Sequence, residues 1–308
     1  MPVFIVGFAR SGTTLCQRLV AERFKLRTLP ETHFFERLGK YHPHESRLTP
    51  DNARALLEEL RPYLDMNPAT HEPLLAQPEV SVRALFLSLV EEQTGHARDT
   101  AAGRWLEKTP MHVLSMPVIL GLFPQARFIA MLRSPLTAFA SRRELSEPGK
   151  GWGEEWKPIE HFCREWQLML DKLSAFEADH AEHVLRVRLE DLSDDTETQI
   201  ERIGKFLGKS PTLVARTKPL ATRIVQPFET WKTPALSAVD PALAQRAGRS
   251  GLDAYETWRV QQLLGRAMAS LGYDEAAAPA PVLDDLHRRL IASVDWYRDA
   301  LQRAHPNR

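Results

Sequence analysis

The chain has 308 residues and 43% apolar side chains, enough for one large domain or two small ones with a proper core. Its 40 basic and 40 acidic residues balance, which argues against a general nucleic-acid or membrane surface. No stretch is long and apolar enough to span a membrane, and the first strand begins without a preceding signal peptide, so a cytoplasmic location is expected. Cys16 and Cys163 lie far apart on predicted helices, which disfavours a disulfide framework or a zinc site.

The first predicted elements are a buried strand, a glycine loop and a helix in the sequence VFIVGFARSGTTL, residues 3–15. Gly7 and Gly12 have the G-x-x-x-x-G spacing of a phosphate loop, whose N–H groups and following helix N-terminus form an anion site. A nucleotide triphosphatase would have Lys-Ser or Lys-Thr next, but this chain has Thr13-Thr14. Its cation lies inside the loop instead, as Arg10.

A second strand and helix are predicted in RFIAMLRSPLTAFAS, residues 127–141. The strand ends at Arg133, and Ser141 follows on the helix eight positions later (141 − 133 = 8). Ligands bind at the carboxyl ends of strands in open α/β sheets, and a guanidinium suits a phosphate.

Together the two motifs resemble those of sulfotransferases that use 3′-phosphoadenosine 5′-phosphosulfate (PAPS). The resemblance implies an α/β fold with a P-loop-like central parallel sheet flanked by helices. It also implies that Arg133 and Ser141 hold the donor's 3′-phosphate. The residues expected at the 5′-phosphosulfate are those of the glycine loop and the start of its helix: Arg10, Ser11, Gly12, Thr13, Thr14 and Leu15.

Glu31, in the segment PETHFF, is the expected catalytic base. It follows Arg10 by 21 positions (31 − 10 = 21), where tyrosylprotein sulfotransferases place their glutamate base. The string E-x-H-F-F is also similar to the catalytic segment of heparan sulfate 3-O-sulfotransferases. Burial beside Phe34 and Phe35 would raise the pKa of Glu31 and make it a better base near neutral pH. His33 is the competing base, or a residue that orients Glu31.

A third landmark is RWLEKTPMHV, residues 104–113, where a short strand is predicted to deliver Lys108 to the sheet edge. In related sulfotransferases this lysine contacts the sulfonate and the oxygen that bridges sulfur to the 5′-phosphate. Cytosolic small-molecule members have Lys-Thr-His here, with the histidine as base. Pro110 occupies that position in this chain, which favours Glu31 as the base and leaves His112 as an alternative.

The insertion 36–103 is predicted to form a helical cap over the acceptor site. Apolar residues recur at helical spacing over 51–64 and again over 82–90, where Gly95 closes the helix. The prolines between these two helices predict a loop-rich link.

No metal is expected. His42, His44 and Glu45 are interpreted as solvated loop residues, and fixed cations and dipoles take the place that magnesium has in kinases.

The C-terminal half continues the resemblance. A strand over 184–189 precedes Glu190-Asp191-Leu192, which resembles the family's R-Y-E-D-L segment with Leu189 in place of tyrosine. Related enzymes close a basic loop over the 3′-phosphate within the region corresponding to 209–250, often with a Trp-Lys pair. Trp231 and Lys232 match that pair, and an ordinary solvated loop is the alternative.

The domain organisation is expected to be a sulfotransferase domain over 1–274, a linker over 275–282 and a C-terminal helix over 283–308. The apolar stripe of that helix must pack on its own domain or on a second subunit in a homodimer. Docking on its own domain is favoured, because the stripe is shorter than three heptads.

The function expected from the resemblance is sulfonate transfer from PAPS to a hydroxyl acceptor, with adenosine 3′,5′-bisphosphate as product. Tyrosyl peptides, carbohydrates and lipid or polyketide hydroxyls all stay open as acceptors, and neither nucleic acid nor a membrane is an expected partner. One alternative is a P-loop kinase, which would need the missing Walker lysine and a strand-end aspartate for magnesium. The other is a non-catalytic binding protein on the same scaffold.

Overall fold

The computed structural model describes residues 1–40, 46–95, 97, 103–146, 158–212, 224–225, 229, 232, 251–273 and 278–304. The chain forms two compact units, Met1–Arg133 with Asp171–Ala244 and Ser134–Leu170 with Gln245–Arg308.

The first unit is built on a parallel sheet. Its strands, with a short separate pair, are β1 (Val3–Gly7), β2 (Arg27–Thr28), β3 (Arg47–Leu48), β4 (Val80–Ser81), β5 (Trp105–Lys108), β6 (Arg127–Leu132) and β7 (Val184–Arg188). The order of the five-stranded sheet is β2-β5-β1-β6-β7, and every pairing in it is parallel. The antiparallel pair is β3-β4. The predicted α/β fold with a central parallel sheet is confirmed.

The described residues of the two units also form α-helices. They are α1 (Thr13–Phe24), α2 (Phe34–Leu38), α3 (Pro50–Leu60), α4 (Pro68–Leu75), α5 (Val82–Thr94), α6 (Met116–Leu122), α7 (Pro135–Ser146), α8 (Ile159–Asp179), α9 (Leu189–Asp194), α10 (Thr196–Leu207), α11 (Ala254–Ser270) and α12 (Leu283–Ala304). A 3-10 helix, Pro110–Ser115, follows β5. Gly95 and Gly208 end α5 and α10 in the left-handed conformation, as glycine at this position allows.

The core lies on both faces of β1, all of whose residues are buried. On one face Val3 and Ile5 pack in a cluster with residues of α1 and α10. On the other face Phe4 is the centre of an aromatic cluster, with ring centroids of Trp105 and Phe128 at 5.4 and 5.7 Å. Burial on both faces explains why this strand reads as a continuous apolar run.

In the described part of the insertion, a helix lies between the two that the sequence predicts. The proline-rich link was expected to be a loop, but Pro68–Leu75 is helical. Pro68 occupies the first helical turn, where a missing N–H costs nothing. The Asn67 side chain caps the helix by accepting from Ala69 N–H at 3.1 Å. Proline therefore starts an element here and does not interrupt one.

In the second unit, α12 packs against residues of α8 and the start of α11. Ser293 Oγ donates to Glu160 at 2.9 Å, and the Arg164 guanidinium lies 5.5 Å from the centroid of the Tyr297 ring. These contacts are of the kind expected for docking on the helix's own chain, while the boundary at 274 and the homodimer stay predictions. Among the described helices, none is both long and apolar enough to cross a membrane.

Candidate active site

The phosphate loop follows β1 and depends on its two glycines. Gly7 has φ +138°, and a Cβ there would lie 2.2 Å from the Met131 carbonyl oxygen of the neighbouring strand. Gly12, with φ +79°, precedes α1, and a Cβ there would lie 2.4 Å from Leu189 Cδ1. Leu189, which stands where the family pattern has tyrosine, therefore packs directly against this loop.

The loop residues that are expected to contact PAPS have different surroundings in the structure. The Ser11 N–H and hydroxyl both donate to the Phe8 carbonyl, at 3.2 and 2.6 Å, so the Ser11 side chain closes the loop itself. Leu15 packs in the core, which leaves its backbone as the part that could face a ligand. Arg10 has a left-handed backbone with φ +73°. Thr13 and Thr14 begin α1 and are both buried.

Arg133 joins the two sequence motifs. It follows β6 directly, and its Nη1 donates to the Arg10 carbonyl oxygen at 2.8 Å. The strand-end arginine therefore contacts the phosphate loop from the adjacent strand. Ser141 lies on α7, which belongs to the second unit.

Lys108 is the last residue of β5, and its side chain is 0% exposed. Its ammonium donates to Thr14 Oγ1 at 3.3 Å and to Glu31 Oε1. The structure therefore brings together a lysine, the start of α1 and the predicted base, which come from three separate stretches of sequence.

Lys232 is a second cation at the same carboxylate. Its Nζ lies 2.7 Å from Glu31 Oε1 and also donates to Glu229, a residue that sequence reasoning missed. The sequence analysis expects Lys232 in a basic loop over the 3′-phosphate, and that role stays a prediction, because the contacts of its ammonium in the structure are with Glu31 and Glu229. Trp231 lies outside the described residues.

The pKa of Glu31 is shifted in the direction opposite to the one expected from the sequence. Desolvation favours a raised pKa, but Lys108, Lys232 and His33 outweigh it and hold the pKa well below the ordinary value. The prediction of a raised pKa was therefore wrong. Burial also lowers the pKa of Lys108, with Lys232 adding to the effect and Glu31 opposing it.

His33 lies between two carboxylates. Its Nδ1 is 2.9 Å from Glu36 Oε2, its Nε2 is 3.5 Å from Glu31 Oε2, and its ring centroid is 4.2 Å from that of Tyr63. Desolvation lowers the pKa of His33, but the bonds to Glu31 and Glu36 outweigh it and raise the pKa to about 9. The imidazole is then protonated at neutral pH and has no lone pair with which to accept a proton.

His112, the other candidate base, is buried and fully engaged. Its Nε2 accepts from the Phe35 N–H at 3.2 Å, and its Nδ1 lies 3.0 Å from Glu107 Oε2. Glu107 and His112 are each 0% exposed. Sequence reasoning missed Glu107. The signal for it was a glutamate in the interior of a short strand that was predicted to lie in the sheet.

Among the residues that the structure describes, no group of three or more His, Cys, Asp or Glu side chains is arranged so that it could hold a metal ion. His42, His44 and Glu45 lie outside the described residues.

The parallel sheet, with a glycine loop after β1, the buried Lys108 at the end of β5 and Arg133 directly after β6, defines an α/β protein. A profile of the sulfotransferase family matches residues 2–212. The chain therefore belongs to the sulfotransferase family. A comparison with curated proteins gives no match.

Two solved structures share the fold. The sulfotransferase domain from the Synechococcus PCC 7002 olefin synthase aligns with a TM-score of 0.58 at 21% identity, over 89% of this chain and 95% of that one. The sulfotransferase domain from the curacin biosynthetic pathway aligns with a TM-score of 0.57 at 18% identity, over 90% of this chain and 99% of that one. At these identities the likeness concerns the fold alone.

Proposed function

We propose that this protein transfers the sulfonate of PAPS to a hydroxyl acceptor and releases adenosine 3′,5′-bisphosphate. The observation that carries the proposal is the buried contact of Lys108 with both Glu31 and Thr14 at the start of α1. It places a cation and a candidate base side by side at the N-terminus of a helix that follows a phosphate loop.

The residues present fit a donor with phosphate and sulfonate groups. Gly7, Arg10 and Gly12 have positive φ angles, and left-handed residues of this kind let successive backbone N–H groups form a concave site for an anion. Arg10, Lys108 and Lys232 supply positive charge at this loop. Arg133, tied to the loop through the Arg10 carbonyl, and Ser141 are the proposed contacts for the 3′-phosphate.

Glu31 is the proposed base. When bound, the donor supplies an activated sulfonate, and the acceptor oxygen bonds to its sulfur while the bond from sulfur to the bridging oxygen breaks. The acceptor proton passes to a Glu31 oxygen. Lys108 and Arg10 stabilise the charge that develops on the leaving oxygen.

The ion pairs of Glu31 connect donor binding to basicity. Lys108 and Lys232 hold the pKa of Glu31 low, so the carboxylate is a weak base while both ammoniums contact it. Anionic groups that bind these lysines compete with Glu31 for them and thereby raise its pKa. Protonated His33 then orients Glu31 and does not compete with it as a base.

Calorimetry with adenosine 3′,5′-bisphosphate, 5′-AMP and ADP tests the donor assignment. Tighter binding of the 3′,5′-bisphosphate is expected, and Arg133→Ala should remove about 1.5–3 kcal/mol of it, as loss of a charge-assisted pair does. Equal affinity for 5′-AMP would overturn the assignment, and tighter binding of ATP would favour a kinase. Turnover of labelled PAPS with pooled tyrosyl peptides, carbohydrates and lipid or polyketide hydroxyls separates an enzyme from a binding protein.

A further inference from the structure

The backbone of the Glu31 segment is held by side chains from the end of β5. The Thr32 N–H donates to Glu107 Oε1 at 3.3 Å and to Thr109 Oγ1 at 3.0 Å. The His33 N–H donates to the same threonine oxygen at 3.3 Å. One short stretch, residues 107–112, therefore accepts from the backbone of Thr32 and His33 and, through His112, from that of Phe35.

Glu107 is the centre of this network. Its Oε1 accepts from the hydroxyls of Thr32 and Thr109 at 2.9 and 2.6 Å, and its Oε2 accepts from His112 at 3.0 Å. Desolvation would raise the pKa of this fully buried carboxyl, but His112 and the two hydroxyls outweigh it and lower the pKa. Glu107 is therefore an anion that accepts several hydrogen bonds at once, and a buried charge is costly to keep unless it is satisfied in this way.

The tautomer of His112 follows from its two partners. The Phe35 N–H can only donate, so Nε2 must carry the lone pair that accepts from it. The ring proton is then on Nδ1, where it is donated to Glu107. Glu107 thus fixes His112 in the one neutral form that can hold Phe35.

The geometry of β5 explains why this network bears on Glu31. Successive strand residues point to opposite faces, so Glu107 and Lys108 project in opposite directions. Glu31 meets Lys108, and the next residue, Thr32, meets Glu107. The following residue, His33, has the strained backbone angle φ +53°, which needs surrounding structure to hold it.

We propose that Glu107 and His112 are positioning residues that hold Glu31 and His33 in register with Lys108 through the backbone of residues 32–35. The catalytic part of this proposal rests on the proposed function, whereas the geometric part does not. A purely structural buried pair would affect only stability, so the two readings predict different results.

Glu107→Gln is the sharpest test. The glutamine oxygen should stay with the Thr32 N–H, which can only donate, so that the NH2 group faces His112 Nδ1. The His112 proton should then move from Nδ1 to Nε2, and the Phe35 N–H should lose its acceptor. Nitrogen NMR of histidine-labelled protein reads this tautomer change directly. The titration midpoint of His33 should also fall from about 9 towards 6.5, because its contacts with Glu31 and Glu36 loosen.

The chain offers a matched control in its insertion. His71, 1% exposed, lies 3.0 Å from Glu92 through Nε2 and joins α4 to α5. Glu92→Gln disturbs a pair between a buried histidine and a partly buried glutamate, away from the residue 32–35 backbone, so it should leave the His33 midpoint and the His112 tautomer unchanged.

A second pair of variants covers the case in which Glu107→Gln does not fold. His112→Gln can still accept from Phe35 and donate to Glu107, whereas His112→Leu can do neither. The His33 midpoint should stay near that of the wild type in the first and fall in the second. At saturating PAPS and acceptor, turnover should drop about a hundredfold in His112→Leu, as for a misplaced catalytic group, with adenosine 3′,5′-bisphosphate affinity unchanged.

Unchanged His33 midpoints in both Glu107→Gln and His112→Leu would overturn the proposal, even if both variants lost stability. The NMR and nucleotide-binding measurements need no acceptor. A failure of the sulfonate-transfer assignment would therefore appear as missing turnover or weak nucleotide binding in the wild type, with the His33 shifts intact.

Discussion

The Lys232 ammonium lies 2.7 Å from the Glu31 carboxylate, although 201 residues separate the two in the chain. Lys108 donates to the same oxygen, Glu31 Oε1, so two cations share one acceptor atom. This arrangement keeps Glu31 ionised in the protein alone. It also means that any anion drawn to these lysines changes the proton affinity of the proposed base.

Glu31→Gln should separate catalysis from donor binding. The amide keeps the shape of the side chain but cannot act as a base, so turnover should fall by about 10²–10⁴-fold. Adenosine 3′,5′-bisphosphate should bind at least as tightly as to the wild type, because the carboxylate no longer competes for Lys108 and Lys232. Turnover at saturating donor and calorimetry measure the two effects.

The comparison variant for Glu31→Gln is His33→Asn, which tolerates the left-handed backbone at this position. It should lower turnover less than Glu31→Gln does. If Glu31→Gln kept most of its turnover while His33→Asn lost it, the roles of base and orienting residue would have to be exchanged.

His33 should give a pH dependence of stability with a definite sign. Its pKa rises from 6.5 to about 9 on folding, so its contribution is fully present below pH 6.5 and is lost as the pH rises through about 9. The loss of unfolding free energy in His33→Asn should therefore be larger at about pH 6 than at about pH 10. Denaturant unfolding of both proteins at the two pH values measures this, and a difference that grows with pH would contradict the raised pKa.

The sequence predicts well those site residues whose position follows from a local pattern. Lys108 ends a strand, Arg133 follows one, and Thr13 begins a helix after a glycine loop, all as expected. Hydrophobic runs and glycines determine these positions over a few residues, so no distant contact is needed to place them.

The pKa shift of Glu31 and the hydrogen bonds that hold its backbone segment could not be predicted in the same way. The expectation of a raised Glu31 pKa counted the neighbouring phenylalanines but not Lys232, which the fold brings from far along the chain. Glu107 was overlooked because its partner Thr32 lies 75 residues earlier. The sign of a pKa shift depends on whether burial or nearby charges have the larger effect, and a single sequence does not show which distant residues the fold brings close.

Gly12→Ala should destabilise the protein, partly through its left-handed backbone and partly through a clash with Leu189. The backbone part is about 1–2 kcal/mol and stays in any background. Leu189→Ala should relieve the clash alone, so the double variant should be more stable than the sum of the single effects predicts. Thermal unfolding of the three variants measures the coupling, and strictly additive losses would show that Leu189 does not press on this loop.

A chain ending at Ala278 tests the docking of α12. It loses the contact of Ser293 with Glu160 and that of Tyr297 with Arg164, so its melting temperature should fall. Light scattering should give the same oligomeric state for the full and the shortened chain. A dimer that becomes a folded monomer on shortening would show that the helix mediates association.

Arg10 allows the charge of the phosphate loop to be separated from its shape. Its φ of +73° is left-handed, and its carbonyl accepts from Arg133 at 2.8 Å, so the backbone conformation there supports a contact. Arg10→Gly should be more stable than Arg10→Ala by about 1–2 kcal/mol, because only alanine carries the left-handed penalty. Both lack the guanidinium, and both should lose about 1.5–3 kcal/mol of adenosine 3′,5′-bisphosphate binding. Thermal unfolding should therefore show different stabilities for the two variants, and calorimetry should show equal nucleotide affinities. If Arg10→Gly bound the nucleotide as tightly as the wild type, the loop backbone and not the Arg10 charge would carry donor recognition.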